Sequence, residues 1–420
     1  MKILIVASDF PWPKIQGGHL RLTTAIEALA NLGETDLFAL YDYRRSVPAL
    51  PPNVPVERLK TVARRGTAHP FRWRAAWLAR RGIPLEVVML GTDAAARLEL
   101  ETWAADEYDL VWFDRAATFE QMGRPHLGPT IIDLHDLEDE KALSRVQVIR
   151  AGPSRGFSTA TFRRIVAVAQ ARLNARDWRR FQRSVAGGVD RVVLCSDLDV
   201  RRSGLANAVV VPNTYERPER AVGHVDVGHP PVVLFQATFD YAPNMDAVDW
   251  LIAEVAPRLR LRVPELEVRL VGTPVPGVER QHGPPAVTVV GVVPAMEPEL
   301  ARADLAIVPL RYGSGTRLKI LESFAHRVPV VSTTVGAEGL QVEDGTHLLI
   351  ADDPDTFATA CERLLTEPGL RTRLVDAAEK RYLERYERSA ARGCIQALAR
   401  EVATDARKGD ARPPDSVSSN

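Results

Sequence analysis

Short apolar runs rich in Val, Ile and Leu alternate with helix-patterned stretches in two separate series along this 420-residue chain. In the first half the strand-like runs are Ile3–Ala7, Thr35–Tyr41, Leu110–Phe113, Thr130–Leu134 and Arg191–Cys195, with a helical pattern at Leu20–Asn31. In the second half they are Val232–Gln236, Leu266–Gly272, Val287–Gly291, Leu305–Pro309 and Val328–Thr333, spaced by helical patterns at Val248–Leu261, Glu297–Ala303 and Leu318–Ala325. A strand apolar on both faces needs cover on both faces, and crossover helices that provide it leave neighbouring strands parallel. The pattern predicts an α/β fold of two doubly wound domains. Ligands of such open sheets sit outside the carboxyl ends of the strands. Two domains facing across a cleft would therefore carry their chemistry in the loops that follow strands.

The first series ends at Val211-Pro212-Asn213-Thr214, and Tyr215–Pro231 is rich in Pro, Gly and charge without periodicity. This sets an N-terminal domain at 1–215, a linker at 216–231, a second domain at 232–390 and a C-terminal helix at 391–404. The tail at 405–420 lacks the apolar content to build a core and reads as disordered. Formal net charge is zero, so no global field draws the chain to nucleic acid, which is not expected as a partner. Cys195, Cys361 and Cys394 lie far apart in no metal-ligand spacing and read as reduced thiols of a cytoplasmic protein. No apolar run reaches the length of a spanning helix, so any membrane contact would be made from the surface, on the inner face.

The most specific motif follows the run that ends at Pro309. It reads Leu310-Arg311-Tyr312-Gly313-Ser314-Gly315-Thr316-Arg317-Leu318-Lys319-Ile320-Leu321-Glu322. Glycines let a backbone approach a ligand closely, and a helix N-terminus offers unpaired N–H groups and partial positive charge to phosphate. Arg317 and Lys319 add two cations to that first turn, against the helix dipole, a local cost that a bound diphosphate would offset. A solvated basic turn with a glycine hinge is the other reading. Glu322 could offer its carboxylate to two adjacent hydroxyls, as on a ribose, or pair with Lys319 or His326 along the helix. A glycine pair, Gly17-Gly18, follows the first strand-like run at a helix start. Paired glycines permit positive φ and close approach, which a plain βα turn needs only once. His135 falls just past a strand within Ile131–Asp139, and the acids Asp133, Asp136, Glu138 and Asp139 beside it raise a metal as an alternative.

The run Gly313–Ala325, with Val328-Pro329-Val330-Val331-Ser332-Thr333 and Gly336-Ala337-Glu338-Gly339-Leu340 behind it, resembles retaining glycosyltransferases of family four. The likeness continues through Asp344–Ile350 and Asp353–Ala358, includes Asp240–Ala247 upstream, and is weaker over 1–215. It implies the GT-B fold of two Rossmann-like domains and a nucleotide diphosphate-sugar donor held mainly by the C-terminal half. It also implies a hydroxyl acceptor at the N-terminal half, and neither cofactor nor metal, with positive groups on the protein in the metal's place. Glu322 matches the second glutamate of the family's Glu-x7-Glu motif, which holds the donor ribose. The first falls on Ser314, so the carboxylate that usually contacts the donor sugar is missing. The family's Arg and Lys pair after the first C-terminal strand is also absent, and Arg317 and Lys319 are candidates for the displaced charge.

The donor-binding set so drawn is Gly17, Gly18, Asn244, Gly313, Ser314, Gly315, Thr316, Arg317, Leu318, Lys319 and Glu322. The catalytic set is His135, Asp136, Arg317 and Lys319, with His135 and Asp136 at the donor sugar or the acceptor hydroxyl. The resemblance further implies retention by a front-face route, in which the departing phosphate takes the acceptor's proton. Two rivals stay open: a GT-B nucleotide-sugar epimerase, and a non-catalytic nucleotide-sugar-binding protein, which Ser314 in place of the first glutamate keeps open. A Rossmann oxidoreductase is disfavoured because no Gly-x-Gly-x-x-Gly follows the first strand. Lys60–Arg81, with Phe71, Trp73 and Trp77, and Lys141–Arg183, with Phe162, Trp178 and Phe181, are strongly basic. They suit either an anionic membrane surface or ordinary solvated helices.

Overall fold

The computed structural model describes residues 1–14, 17–42, 51, 54–64, 82–104, 107–151, 159–219, 230–273, 287–313 and 315–410. The chain forms two compact units. The first comprises Met1–Asp139, Leu173–Val211 and Ala391–Asn420; the second comprises Glu140–Arg172 and Pro212–Ala390.

The strands of the first unit are β1 (Lys2–Ala7), β2 (Glu34–Asp42), β3 (Arg58–Arg64), β4 (Leu110–Asp114), β5 (Thr130–His135), β6 (Arg191–Leu194) and β7 (Ala208–Val210). They form one parallel sheet in the order β3-β2-β1-β4-β5-β6-β7. Successive side chains of a strand point to opposite faces. In β1, Ile3, Ile5 and Ala7 pack with Ile26 and Leu29 on one face. Leu4 and Val6 pack with Phe38, Phe113 and Phe181 on the other. Two buried faces explain why β1 reads as an uninterrupted apolar run. The edge strand β3 was not legible in the sequence, because only Val62 of its seven residues is buried.

The second unit contains β8 (Val232–Ala237), β9 (Glu267–Gly272), β10 (Val287–Gly291), β11 (Leu305–Val308), β12 (Val330–Ser332) and β13 (Leu349–Ile350). They form a parallel sheet in the order β10-β9-β8-β11-β12-β13. The helix expected from Val248 starts earlier, at Ala242, runs to Trp250, and continues through a π turn at Leu251–Val255 into Ala256–Arg262. Pro243 in its first turn costs nothing, because the amide it lacks would have no partner there.

Both units are doubly wound. Strand order reverses between β1 and β4 in the first sheet and between β8 and β11 in the second, which makes these the places where ligands of open sheets bind.

Three expectations are corrected. The helix placed at 391–404 spans Arg388–Asp410, so the start of the expected disordered tail is helical; 411–420 lie outside the described residues. Ala391, Ile395, Leu398, Ala399 and Val402 bury one face of this helix against Ile3, Ile26 and Leu29, which assigns it to the first unit. The division at 215 is also crossed by Glu140–Arg172, which groups with the second unit: Ser144 Oγ accepts from the Gly313 amide at 3.0 Å, and the Lys141 ammonium sits 5.2 Å above the Tyr241 ring. Finally, Phe181 is buried and meets Trp178 edge to face at 5.8 Å within the first unit's core, so neither ring forms an interfacial belt. Most of Lys60–Arg81, with Trp73 and Trp77, lies outside the described residues, as do 220–229 of the expected linker.

Candidate active site

The reversal in the first sheet puts the ends of β1 and β4 side by side, with β5 next to β4. The chain after β1 starts with Ser8, β4 ends at Asp114, and β5 ends at His135. His135 takes φ of 64°, a left-handed conformation uncommon outside glycine, and the pairing of β5 with β6 slips there. Its Nε2 lies 2.6 Å from Asp114 Oδ1. Asp114 Oδ2 accepts from the Ser8 amide at 3.1 Å and from the Ser8 hydroxyl. Burial alone would raise the Asp114 pKa. The charges of His135 and Arg115 and the bonds from His135 and Ser8 outweigh burial and hold the carboxyl well below the usual carboxylate range. An ionised Asp114 accepts a proton-bearing Nε2, which leaves Nδ1 as the nitrogen offered to a ligand.

A cavity of about 310 Å³ opens here, with Ser8, Gly18, His19, Arg64, Asp114 and His135 among its walls. The glycine pair permits positive φ and close approach; Gly17 and Gly18 are the first residues of the helix Gly17–Ala30, and Gly18 does not have positive φ. What Gly18 supplies is room: a Cβ there would lie 3.3 Å from Arg115 Nη2 and 3.7 Å from His135 Cε1. Asp136 does not line this cavity. Of the acids beside it, Asp133 accepts from Arg21 Nε at 2.7 Å, and Asp139 accepts from Arg179 at 2.9 Å and Gln182 at 3.0 Å.

In the second unit the reversal brings the end of β8 beside the loop after β11. Gly313, in that loop, has φ of 133°, and a Cβ on it would lie 2.6 Å from Arg317 Nη2. The positive φ favours glycine here, and a side chain would also have to displace the Arg317 guanidinium. Gly315 also has positive φ, at 77°; Ser314 between them lies outside the described residues. Arg317 is the N-cap of the helix Leu318–Ala325, and Leu318 packs against the core. Thr316 Oγ1 accepts from Asn213 at 2.7 Å.

Lys319, in the first turn of that helix, donates to Asn244 Oδ1 at 3.1 Å and lies 4.7 Å above the Phe235 ring. Burial first, and then the charge of Arg317, bring its pKa down to about 7, although Glu322 opposes the shift. Both oxygens of Glu322 are held: Oε1 by the Tyr215 hydroxyl at 2.9 Å and Oε2 by Gln236 Nε2 at 2.7 Å. Burial raises the Glu322 pKa against those two bonds. Asn244, Arg317, Lys319 and Glu322 thus come together in one unit. Tyr215 and Gln236 were missed: one stood at the end of the expected N-terminal domain, the other at the end of an expected strand. Gln236 carried a signal of position, near the end of the strand that leads to the reversal; Tyr215 carried none.

A basic, glycine-rich helix start thus lies at one sheet reversal and a His–Asp pair at the other. Residues 230–367 match the family model described as glycosyl transferases group 1. An α-D-kanosaminyltransferase of Streptomyces kanamyceticus is 31% identical over 112 residues, covering 26% of this chain and 28% of that protein. The chain spans 35% and 28% of the length of the curated relatives it matches. Among solved structures, sucrose-phosphate synthase from Thermosynechococcus elongatus is similar with a TM-score of 0.68 at 16% identity, covering 96% of this chain and 100% of that one. Anabaena HepE in complex with UDP and glucose is similar with a TM-score of 0.59 at 13% identity, covering 96% and 99%. These likenesses share the fold of two parallel-sheet α/β domains.

Proposed function

We propose that this chain is a glycosyltransferase that moves a sugar from a nucleotide diphosphate donor to a hydroxyl acceptor, with retention. The observation that carries the reading is the cluster of Lys319, Asn244 and Glu322 behind the Gly313 turn, within the segment that matches the family model. Lys319 and the helix start, with Arg317 at its cap, bind the diphosphate and stabilise the charge that develops on it as the sugar leaves. Glu322, its two oxygens aligned by Tyr215 and Gln236, takes the ribose hydroxyls. Thr316 lies beside the sugar-bearing phosphate. His135, held by Asp114, orients the acceptor hydroxyl through Nδ1, and the departing phosphate oxygen takes the proton. The HepE complex with UDP and glucose supports a UDP-sugar as the first donor to try.

Nucleoside diphosphate release from UDP-, GDP-, ADP- and dTDP-sugars, measured with and without an acceptor mixture, tests this. Release that depends on acceptor, together with a product of added sugar mass, is expected. Donor interconversion without acceptor would point to the epimerase, and donor binding without turnover to the non-catalytic binder.

A surface role is proposed separately. The helix Thr159–Ala186 exposes Phe162, Ile165, Val166 and Leu173 among arginines that include Arg172, Arg176 and Arg180. Apolar side chains set among cations suit an anionic bilayer. Flotation with phosphatidylglycerol vesicles should capture the chain at low salt and release it in high salt. Capture that persists after Phe162→Ser and Ile165→Ser would contradict this.

A further inference from the structure

The walls of the first unit's cavity carry more positive charge than orienting a hydroxyl requires. Arg64, the last residue of β3, donates through Nη2 to the Ser8 carbonyl, while its buried Nε has no hydrogen-bond partner among the described residues. Arg115 follows β4 with φ of 72°, a strained conformation for an arginine, and its exposed guanidinium makes no salt bridge or hydrogen bond among the described residues. The two face the same space: burial lowers the Arg64 pKa, and the charge of Arg115 adds to that. Gln121, only 1% exposed, lines the cavity too, and its Nε2 has no partner among the described residues. Of the carboxylates nearby, Asp114 is taken by Ser8 and His135; Asp9, 3.8 Å from His19, and Asp42 offset part of the Arg64 charge and leave that of exposed Arg115.

A buried donor without an acceptor is costly, and two guanidiniums turned to one space repel. One ligand chemistry relieves both. An oxyanion accepts several N–H donors at once and neutralises the pair, whereas a neutral hydroxyl would satisfy Gln121 and leave the repulsion. Resting on the reading that this unit takes the acceptor, we infer that the acceptor carries a phosphate ester or a carboxylate, seated between Arg64, Arg115 and Gln121.

Calorimetric titration of the full chain with inorganic phosphate, and separately with acetate, tests the site without any transfer. At least one anion should bind, with UDP present as well as absent, and the tighter of the two indicates which group the acceptor bears. Arg115→Gln should weaken binding roughly tenfold or more. Arg64→Gln should do the same if it melts normally; should it not fold, the exposed Arg115 carries the test alone. Failure of both anions to bind, binding indifferent to Arg115→Gln, or one-for-one displacement by UDP would overturn the inference, the last by marking a donor-phosphate subsite. A chain that binds phosphate but transfers no sugar keeps the anion site and loses only the transferase reading. Transfer to a neutral sugar without anion binding does the reverse.

Discussion

Asp114 Oδ1 lies 2.6 Å from His135 Nε2, while Oδ2 of the same carboxylate accepts from the Ser8 amide and hydroxyl. Three strand ends thus fix one imidazole, and Asp114 decides which nitrogen faces the cavity. Asp114→Asn keeps the shape and removes the charge, so the ring is free to present the wrong tautomer. Turnover should fall by about a hundredfold, with nucleotide affinity and melting temperature little changed. If nucleotide binding falls and turnover at saturation does not, His135 belongs to the donor subsite instead.

Glu322→Ala removes the carboxylate assigned to the ribose. Two charge-assisted hydrogen bonds are worth roughly 2–4 kcal/mol together. The Michaelis constant for donor should rise accordingly while the fold stays intact. Wild-type rates at limiting donor would remove Glu322 from the site.

The Lys319 pKa of about 7 gives donor binding a pH dependence. A diphosphate favours the charged ammonium, so binding takes up a proton above pH 7, and affinity falls as pH rises through that value. In the empty protein the sign for stability is opposite: burial of the charge costs stability below pH 7, and that cost is relieved as pH rises towards the free lysine value. Calorimetry of UDP binding at about pH 8, in two buffers of different ionisation enthalpy, should show proton uptake that Lys319→Gln abolishes. Uptake that survives in Lys319→Gln would assign it to another group.

Gly18 is a question of space. Valine there would press on Arg115 and His135. It should raise the Michaelis constant for acceptor on the order of tenfold, without loss of helix, since glycine is the poorer helix former. An unchanged acceptor constant would place the acceptor elsewhere.

The apolar runs made both sheets legible, because parallel strands buried on two faces leave little else in the sequence. Lys319 and Glu322 were legible for a local reason: they share one short helix with the glycine turn before it. The partners that set their chemistry were not. Tyr215 lies 107 residues from Glu322 and Gln236 lies 86 away; Asp114 lies 21 residues from His135. Only the strand order brings them together. Arg64 escaped notice because β3 is too polar to read as a strand. The C-terminal helix was cut short because its last turn is polar on every side, although Val402 and Ala403 still bury.

The central claim is that the second unit binds a nucleotide diphosphate-sugar through Lys319 and Glu322. Thermal unfolding of the full chain with UDP-, GDP-, ADP- and dTDP-sugars measures this most directly, because a ligand that binds only the folded state raises the melting temperature by mass action. One nucleotide series should raise it, and Glu322→Ala and Lys319→Gln should each remove the rise while melting normally without ligand. A well-folded chain that no nucleotide sugar stabilises, or a rise that both variants retain in full, would contradict the account.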